Sequence, residues 1–466
     1  MSVPFRTLPL VLAVSALLSA GTASAADSLT FEAARARFHE RADIFRADAA
    51  EVERARHASE SAKSLSGPKV DITAMQVEGR KDLDLNLDIP ASVQQLGNVL
   101  TGGKYPIPSS MRFTDELDLS GPRAMISATW PLYTGGAITA QQNLLEHKVR
   151  EASAAQSARL EEKDADLAMR YWGVQLARSV EELRRERLKD EEEQVHRAMR
   201  FEKKGLISRI ERMSVEVSRD AARRELVSAG TSARVAEAEL MSALREKELP
   251  ALATPLFILT GDLGTLSEWQ SRARINSPVL SRIDAQVSQA GEGVRAAESA
   301  FHPQVFAFGM KNLVKHYLTP VEPDWMVGLG IKFTLWDNRD RFSSLAASHA
   351  QEEKARAAKA EADNALASAV ETAFLRTTQA REEYLLTAST VALAKENLRL
   401  REASFAEGLS TALDVREART QMTGAQIAER AAAYKFVVSW AMLHGAAGVM
   451  PDFVATLSRP DLKRVE

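Results

Sequence analysis

Cysteine is absent from all 466 residues. This excludes disulfides, thiolate zinc sites, a cysteine nucleophile and any lipid carried on cysteine. Aromatic residues make up 6% of the chain, and the 23 glycines and 16 prolines are too few for collagen-like or low-complexity character. Neither sign of charge dominates: 60 basic against 63 acidic residues leave −3, so no long-range field favours nucleic acid. Beyond the first 26 residues no apolar run reaches ~18, so the chain can enter a membrane only as strands. The residues that are present, 45% apolar and 26% charged, exclude a disordered chain. The length fits two or three ordinary domains or one large elongated one.

The N-terminus reads as an address. Arg6 precedes an apolar run from Leu8 to about Ala20, and Thr22-Ala23-Ser24-Ala25-Ala26 follows. A short apolar region before small residues is the pattern of a secretory signal peptide, with cleavage expected after Ala25 or, next, Ala26; a buried N-terminal helix is the competing reading. At roughly 12 residues the run is too short to span as a helix. Loss of Arg6 leaves a mature charge of −4, and the new N-terminus is not a cysteine, so the usual lipoprotein anchor is excluded.

Proline is missing from Leu132 to Leu249 and from Asp324 to Met450, and glycine is missing between Arg339 and Glu407. The strongest helix breakers are thus absent where Ala, Glu, Arg, Leu, Lys and Gln abound, which predicts very long helices. Tyr384, Val391, Leu398 and Phe405 recur every seven residues, as do Leu160, Leu167 and Val174, and then Leu176 and Leu183. A seven-residue stripe faces a partner helix in a left-handed coiled coil. Many stripe positions are alanine or polar, so close packing with a wet side is expected. Each long helix stops alike, at Gly205-Leu206-Ile207-Ser208 and at Gly408-Leu409-Ser410-Thr411. A glycine followed by a hydroxyl residue reads as a C′ glycine, a tight turn and a new N-cap. Two helical hairpins result, ending near Lys247 and Gly445.

The landmarks repeat. Pro131 to Gly136 corresponds to Thr334 to Arg339 at the same 203-residue shift that relates Gly205 to Gly408, and Gly67 to Val70 corresponds to His302 to Val305 at a shift of 235. The difference places an insertion of 32 residues in the first copy, at 83–120. Each copy also has two strand-like stretches of about ten residues, the length of a tilted transmembrane strand. In the first copy Val70, Ile72 and Ala74, then Ala124, Ile126, Ala128 and Trp130, alternate with polar residues or methionine. In the second, Val305–Leu313 and Trp325–Trp336 play these parts. Trp130, Tyr133, Trp325 and Trp336 near strand ends fit an interfacial girdle. An ordinary antiparallel sheet in a soluble domain is the competing reading. Four strands cannot close a barrel, and a sheet in lipid keeps no open edge. Membrane strands would therefore require two, three or four chains to share eight, twelve or sixteen strands.

With PLYTGG (131–136), GLIS (205–208), HPQV (302–305), TLWDN (334–338) and GLSTALDV (408–415) in this order, the chain resembles the TolC-like outer membrane efflux proteins. The likeness runs from about Leu29 to Phe453 and rests on order and spacing rather than on any one motif. It implies a mainly α fold with a small β part and an internal two-fold repeat. Long helical hairpins of a homotrimer would form a periplasmic tunnel, and four strands per chain would contribute to one shared transmembrane barrel in outer membrane lipid. It also implies an exit duct for a tripartite efflux pump or a type I secretion system, docked to a periplasmic adaptor and an inner-membrane transporter. In these terms 1–25 is the signal peptide, 26–246 and 277–450 are the two repeats, 247–276 is an irregular equatorial belt and 451–466 a tail. The 83–120 insertion, with Gly102, Gly103, Pro106 and Pro108, reads as an extracellular loop.

Family members close the tunnel at its periplasmic tip with acidic residues. The matching positions are Asp414 and Glu417, on one helix face at i, i+3, with Glu211 equivalent to Asp414 in the first copy. Threefold repetition would make a cation-favouring ring. Phe405 stands where the family's lock has a tyrosine, and Ser410 where it has an arginine, so that lock's hydrogen bonds do not transfer. The competing reading is that the three acids simply favour the positive ends of helix dipoles. The turns Gly205, Leu206, Ser208, Gly408, Leu409 and Ser410 are structural positions where an adaptor would also make contact.

No catalytic constellation stands out, and neither an enzyme activity nor a cofactor is expected. Gly291-Glu292-Gly293-Val294-Arg295-Ala296 has dinucleotide-fingerprint spacing but lies inside a predicted helix without a preceding strand. His39-Glu40 begins a zinc-protease motif, yet Asp43 occupies the second histidine's place, and the eight histidines show no ligand spacing, so no metal is expected. The charges from Glu181 to Glu193 read as solvated faces. A periplasmic coiled-coil adaptor or scaffold is the alternative; it would share the hairpins but not the two strand pairs.

Overall fold

The computed structural model describes residues 28–118, 120–316, 318, 322–336, 340–407 and 409–465. The expected signal peptide and Gly408 lie outside the described residues. In chain order the elements are α1 (Phe31–Arg41), α2 (Asp43–Lys63), β1 (Lys69–Val77), β2 (Arg80–Asp88), α3 (Ala91–Leu100), β3 (Ser110–Asp118), β4 (Gly121–Tyr133), α4 (Ala137–Lys203) and α5 (Arg209–Leu244). They continue with β5 (Leu256–Leu259), α6 (Leu266–Asn276), α7 (Pro278–Glu298), β6 (Gln304–Asn312), β7 (Trp325–Lys332), α8 (Arg341–Ala406), α9 (Ala412–Ala447), α10 (Met450–Thr456) and β8 (Leu462–Val465).

The breaker-free stretches are helices of 67 and 66 residues, α4 and α8, each followed by one of 36. At 1.5 Å per residue the longest reaches ~100 Å. Element boundaries recur at the shifts read from the landmarks. α2 and its 3₁₀ turn Ser64–Ser66 match α7 and Ser299–Phe301 at 235 residues, and α5 matches α9 at 203.

Residues form two compact units. Of the described residues, one contains those up to Asp43, Glu161–Leu266 and those from Glu371. Its core holds an aromatic cluster in which Phe31, Trp172, Phe257 and Phe453 meet with ring centroids 4.5–5.7 Å apart, extended by Phe436 and Trp440. The polar ends of these rings are satisfied. Tyr171 donates to the Leu29 carbonyl (2.6 Å), and Trp172 donates to that of Pro255 (3.0 Å). Away from the cluster the buried side of α5 is alanine and leucine. Ala222, Ala229, Ala233, Leu240 and Leu244 are the buried positions of α5, spaced by seven and four. Leu167, Val174, Leu183 and Tyr384 of the expected stripes are buried; Phe405 is exposed.

The segment 247–276, expected to be irregular, holds β5 and the helix α6, and 451–466, expected to be a tail, holds most of α10 and β8. β5 pairs antiparallel with β8. Leu256-Phe257-Ile258-Leu259 is a continuous buried run rather than an alternating one, and a run of four apolar residues carries no period to read.

The other unit holds Ile44–Leu160 and Ser267–Val370. Its centre is a four-stranded antiparallel sheet of order β1-β4-β6-β7. The 83–120 insertion, expected as a loop, is mostly a second hairpin, β2 with β3, closed by α3.

Candidate functional site

Among the described residues, the two helical tips share their bonding pattern. Gly205 has φ 69°, a left-handed turn open to glycine without strain, and it ends α4. The Gly205 N–H donates to Glu202 (2.9 Å) and the Leu206 N–H to Phe201 (2.9 Å), the double bond of a Schellman ending. The Leu409 N–H donates to Ser404 (2.8 Å), the same bond at the second tip. Both tips present an apolar side chain to solvent: Leu206 is 66% and Leu409 79% exposed.

The next helix starts with a capping box at each tip. Ser208 receives the Glu211 N–H on its hydroxyl (3.2 Å) and donates its own N–H to the Glu211 carboxylate (2.7 Å). Thr411 and Asp414 repeat this at 3.2 and 2.9 Å, and Ser410 adds a hydroxyl at 3.1 Å. The hydrogen bonds from Thr411 and then Ser410 hold the Asp414 carboxyl below its ordinary range; those from Ser208 do the same for Glu211. Both groups therefore cap their helix and remain ionised. Arg401 stands 4.0 Å from Asp414, and Glu417 is exposed one turn on. Arg419 ties the second hairpin to itself through Glu402 (2.5 Å), and Arg416 reaches Ser218 on the first (2.9 Å). Glu191 corrects the reading of 181–193 as solvated: it is buried, and burial pushes its carboxyl up despite Arg187, Arg416 and Arg419 nearby. The sequence hid it because a charged face and a buried charge share one composition.

The four-stranded sheet has two unlike faces. The register pairs Val70 with Ala128, Ile72 with Ile126, Ala307 with Leu329 and Val305 with Ile331, all on one face with Trp130. Ile72, Leu329 and Ile331 are 71–75% exposed there. Such a stripe is not core and has no cover among the described residues. The opposite face carries Asp71, Thr73, Ser127 and Thr129, together with Phe306 and Phe308, whose rings lie over Gly330 and Gly328. Trp130 and Tyr133 lie toward the end of β4, and Trp325 opens β7; the three are 47–64% exposed. Trp336 follows β7 and is exposed, while Asp337 and Asn338 of the same motif lie outside the described residues. Among the described residues no helix is long and apolar enough to cross a membrane, and no group of three His, Asp or Glu is placed to hold a metal ion.

The family model for outer membrane efflux proteins matches residues 35–244 and 269–449. The chain belongs to the outer membrane efflux protein family. As an outer membrane efflux protein it is a channel component, and its structure agrees with solved members of that architecture. The Campylobacter jejuni CmeC outer membrane channel superposes with TM-score 0.72 at 12% identity, over 98% of each chain. The open state of the Neisseria gonorrhoeae MtrE outer membrane channel gives 0.69 at 17%, over 96% of this chain and 98% of that one. The outer membrane protein VceC of Vibrio cholerae gives 0.70 at 13%, over 90% and 96%. At such identities the likeness is one of fold. No curated protein sequence matches the chain significantly.

Proposed function

We propose that three copies of this chain share one transmembrane barrel and form the exit duct of a tripartite efflux pump or a type I secretion system. The observation that carries this reading is the four-stranded sheet with one exposed apolar face. Its outer strands β1 and β7 have no further partner strand among the described residues. A sheet with an apolar outer face and two open edges suits lipid only when neighbouring copies complete it. Three copies give twelve strands. The hairpin tips would then point into the periplasm, where Leu206 and Leu409 offer apolar contacts to a periplasmic adaptor that couples the duct to an inner-membrane transporter. In this reading 1–25 is removed on export, and 26–246 and 277–450 act as two halves of one wall.

Asp414 and Glu417, with Glu211, form the proposed acidic gate. Its support is that the capping bonds favour the charged form of Asp414 and Glu211, so both carboxylates keep their charge at neutral pH. The duct performs no chemistry. It supplies a closed, wet path, and the energy comes from the inner-membrane partner. The apolar sheet face disfavours the alternative, a pore-free periplasmic adaptor.

Purified mature protein is expected to run as a trimer in detergent and to open cation-preferring channels in planar bilayers. A monomer, soluble without detergent, that leaves lipid vesicles sealed would overturn the reading.

A further inference from the structure

The strands β1, β4, β6 and β7 hold four of the chain's 13 methionines, one on each: Met75, Met125, Met310 and Met326. The register places all four on the face of Thr73, Ser127 and Phe308, and none on the apolar face of Ile72 and Leu329. Met310 lies directly opposite Met326. Met125 lies opposite Thr73 and Asn312, and so diagonal to Met75 on one side and to Met310 on the other. Directly opposite residues have Cβ atoms ~5 Å apart and diagonal ones ~7 Å, within reach of long side chains. A row of thioethers therefore crosses the sheet strand by strand.

Apolar packing does not account for this row. The rings of Phe306 and Phe308 lie over Gly330 and Gly328, whereas β1, which carries Met75, holds no aromatic residue. Met75 and Met326 are 46% and 41% exposed. The charges on this face are largely spent on one another. Arg123, opposite Met75, donates to both oxygens of Glu322 (2.6 and 2.5 Å), and Lys69 pairs with Asp71 (3.1 Å); Lys332 stands at the far end of β7. Cysteine is absent, and none of the eight histidines lies on these strands. The donor set is thus thioether sulfur, a soft neutral ligand that selects ions such as Cu(I) over Zn(II) or Mg(II).

The consequence rests on the shared-barrel reading above and names a cargo for it. If the apolar face meets lipid, the methionine face lines the lumen. We infer that Met125, Met310 and Met326, with Met75 beside them, form a wall site for a soft monovalent metal ion, Cu(I) or Ag(I), in transit. Conduction requires sites that are favourable enough to enter and weak enough to leave. Uncharged thioethers in a row, repeated in each copy, supply several such sites side by side. The acids at the helical tips favour the same sign of charge.

Ag(I) is the probe, in chloride-free buffer, since it needs no reductant. Added to the purified protein, isotope-labelled in its methionine methyl groups, it is expected to shift the nuclear magnetic resonances of Met125, Met310 and Met326. Met213, exposed on α5 outside the sheet, should stay in place, and Mg(II) should shift none of them. Met310→Leu combined with Met326→Leu nearly conserves volume. It should abolish Ag(I) binding by the sheet in equilibrium dialysis while trimers and conductance persist. The titration of the unaltered protein decides the matter should that variant not assemble. No shift in the sheet, or equal shifts at Met213, in a preparation of conducting trimers would overturn the metal site and leave the duct standing. Shifts of the sheet methionines by an apolar dye but not by Ag(I) would overturn it likewise, in favour of organic cargo. A preparation without trimers or conductance would overturn both.

Discussion

Thr411 donates its backbone N–H (2.9 Å) and its hydroxyl (2.7 Å) to the same carboxylate oxygen of Asp414. One acid thus serves a helix start and a proposed gate, and substitution can separate these roles. Thr411→Ala removes the capping hydroxyl and leaves the charge. It is expected to cost ~1 kcal/mol of local helix stability, seen as faster amide exchange over the first turn of α9, with cation selectivity unchanged. Asp414→Asn keeps an acceptor and removes the charge, and it should lower cation selectivity and divalent-ion block, most fully when combined with Glu417→Gln. Equal effects of Thr411→Ala and Asp414→Asn on selectivity would count against the ring.

Much of this architecture was legible because it depends on periodicity and on punctuation. The long helices follow from missing proline and glycine, the tips from Gly205 and Ser208, and the sheet from alternation in 124–130. The hidden parts have no period. Leu256–Leu259 and Leu462–Val465 are four residues each, and their pairing across some 200 residues has no local sign. The β2–β3 hairpin was hidden by its setting: Leu85 and Leu87 alternate with Asp84, Asn86 and Asp88 as in any strand, but glycines and prolines in 102–108 made the insertion read as a loop. The capping boxes explain Asp414 and Glu211 locally, so proximity to a tip does not by itself make an acid a gate.

Gly205 should resist replacement. Its left-handed φ of 69° disfavours a side chain, although no atom lies within 4 Å of where a Cβ would be. Gly205→Ala is therefore expected to cost ~1 kcal/mol through backbone strain alone, and Gly205→Asn less. Amide exchange at Leu206 reads the Schellman bond directly. An alanine variant with unchanged exchange at the tip would show that the turn can relax.

Tyr171, which belongs neither to a tip nor to the four-stranded sheet, offers a stability test. Its buried hydroxyl donates to Leu29 and accepts the Thr254 N–H (3.0 Å). Tyr171→Phe keeps the ring and leaves the Thr254 N–H without this acceptor, a loss of ~1–3 kcal/mol. A lower melting temperature with unaltered single-channel conductance is expected. An unchanged melt would mean that water or a backbone shift replaces the hydroxyl.

Glu161 predicts how stability depends on pH. Burial pushes its carboxyl up to about 7, opposed by the hydrogen bond that it accepts from the Met450 N–H (2.9 Å). The negative charges of Asp164 and Asp452 add to the rise, and Arg35 opposes it. Asp164 itself is buried against Arg35 (2.6 Å) and His39 (2.5 Å), so one cation already serves the neighbouring acid. The folded state holds the Glu161 proton more tightly than the unfolded chain does. Stability contributed by this group therefore falls as pH rises from about 4.5 to about 7 and stays low above that. Glu161→Gln retains an acceptor for Met450 and removes the charge. The variant should melt near the parent at pH 4 and above it at pH 8, with the gap opening between these values. A gap of the same size at both ends would mean that the Glu161 proton is not what folding takes up.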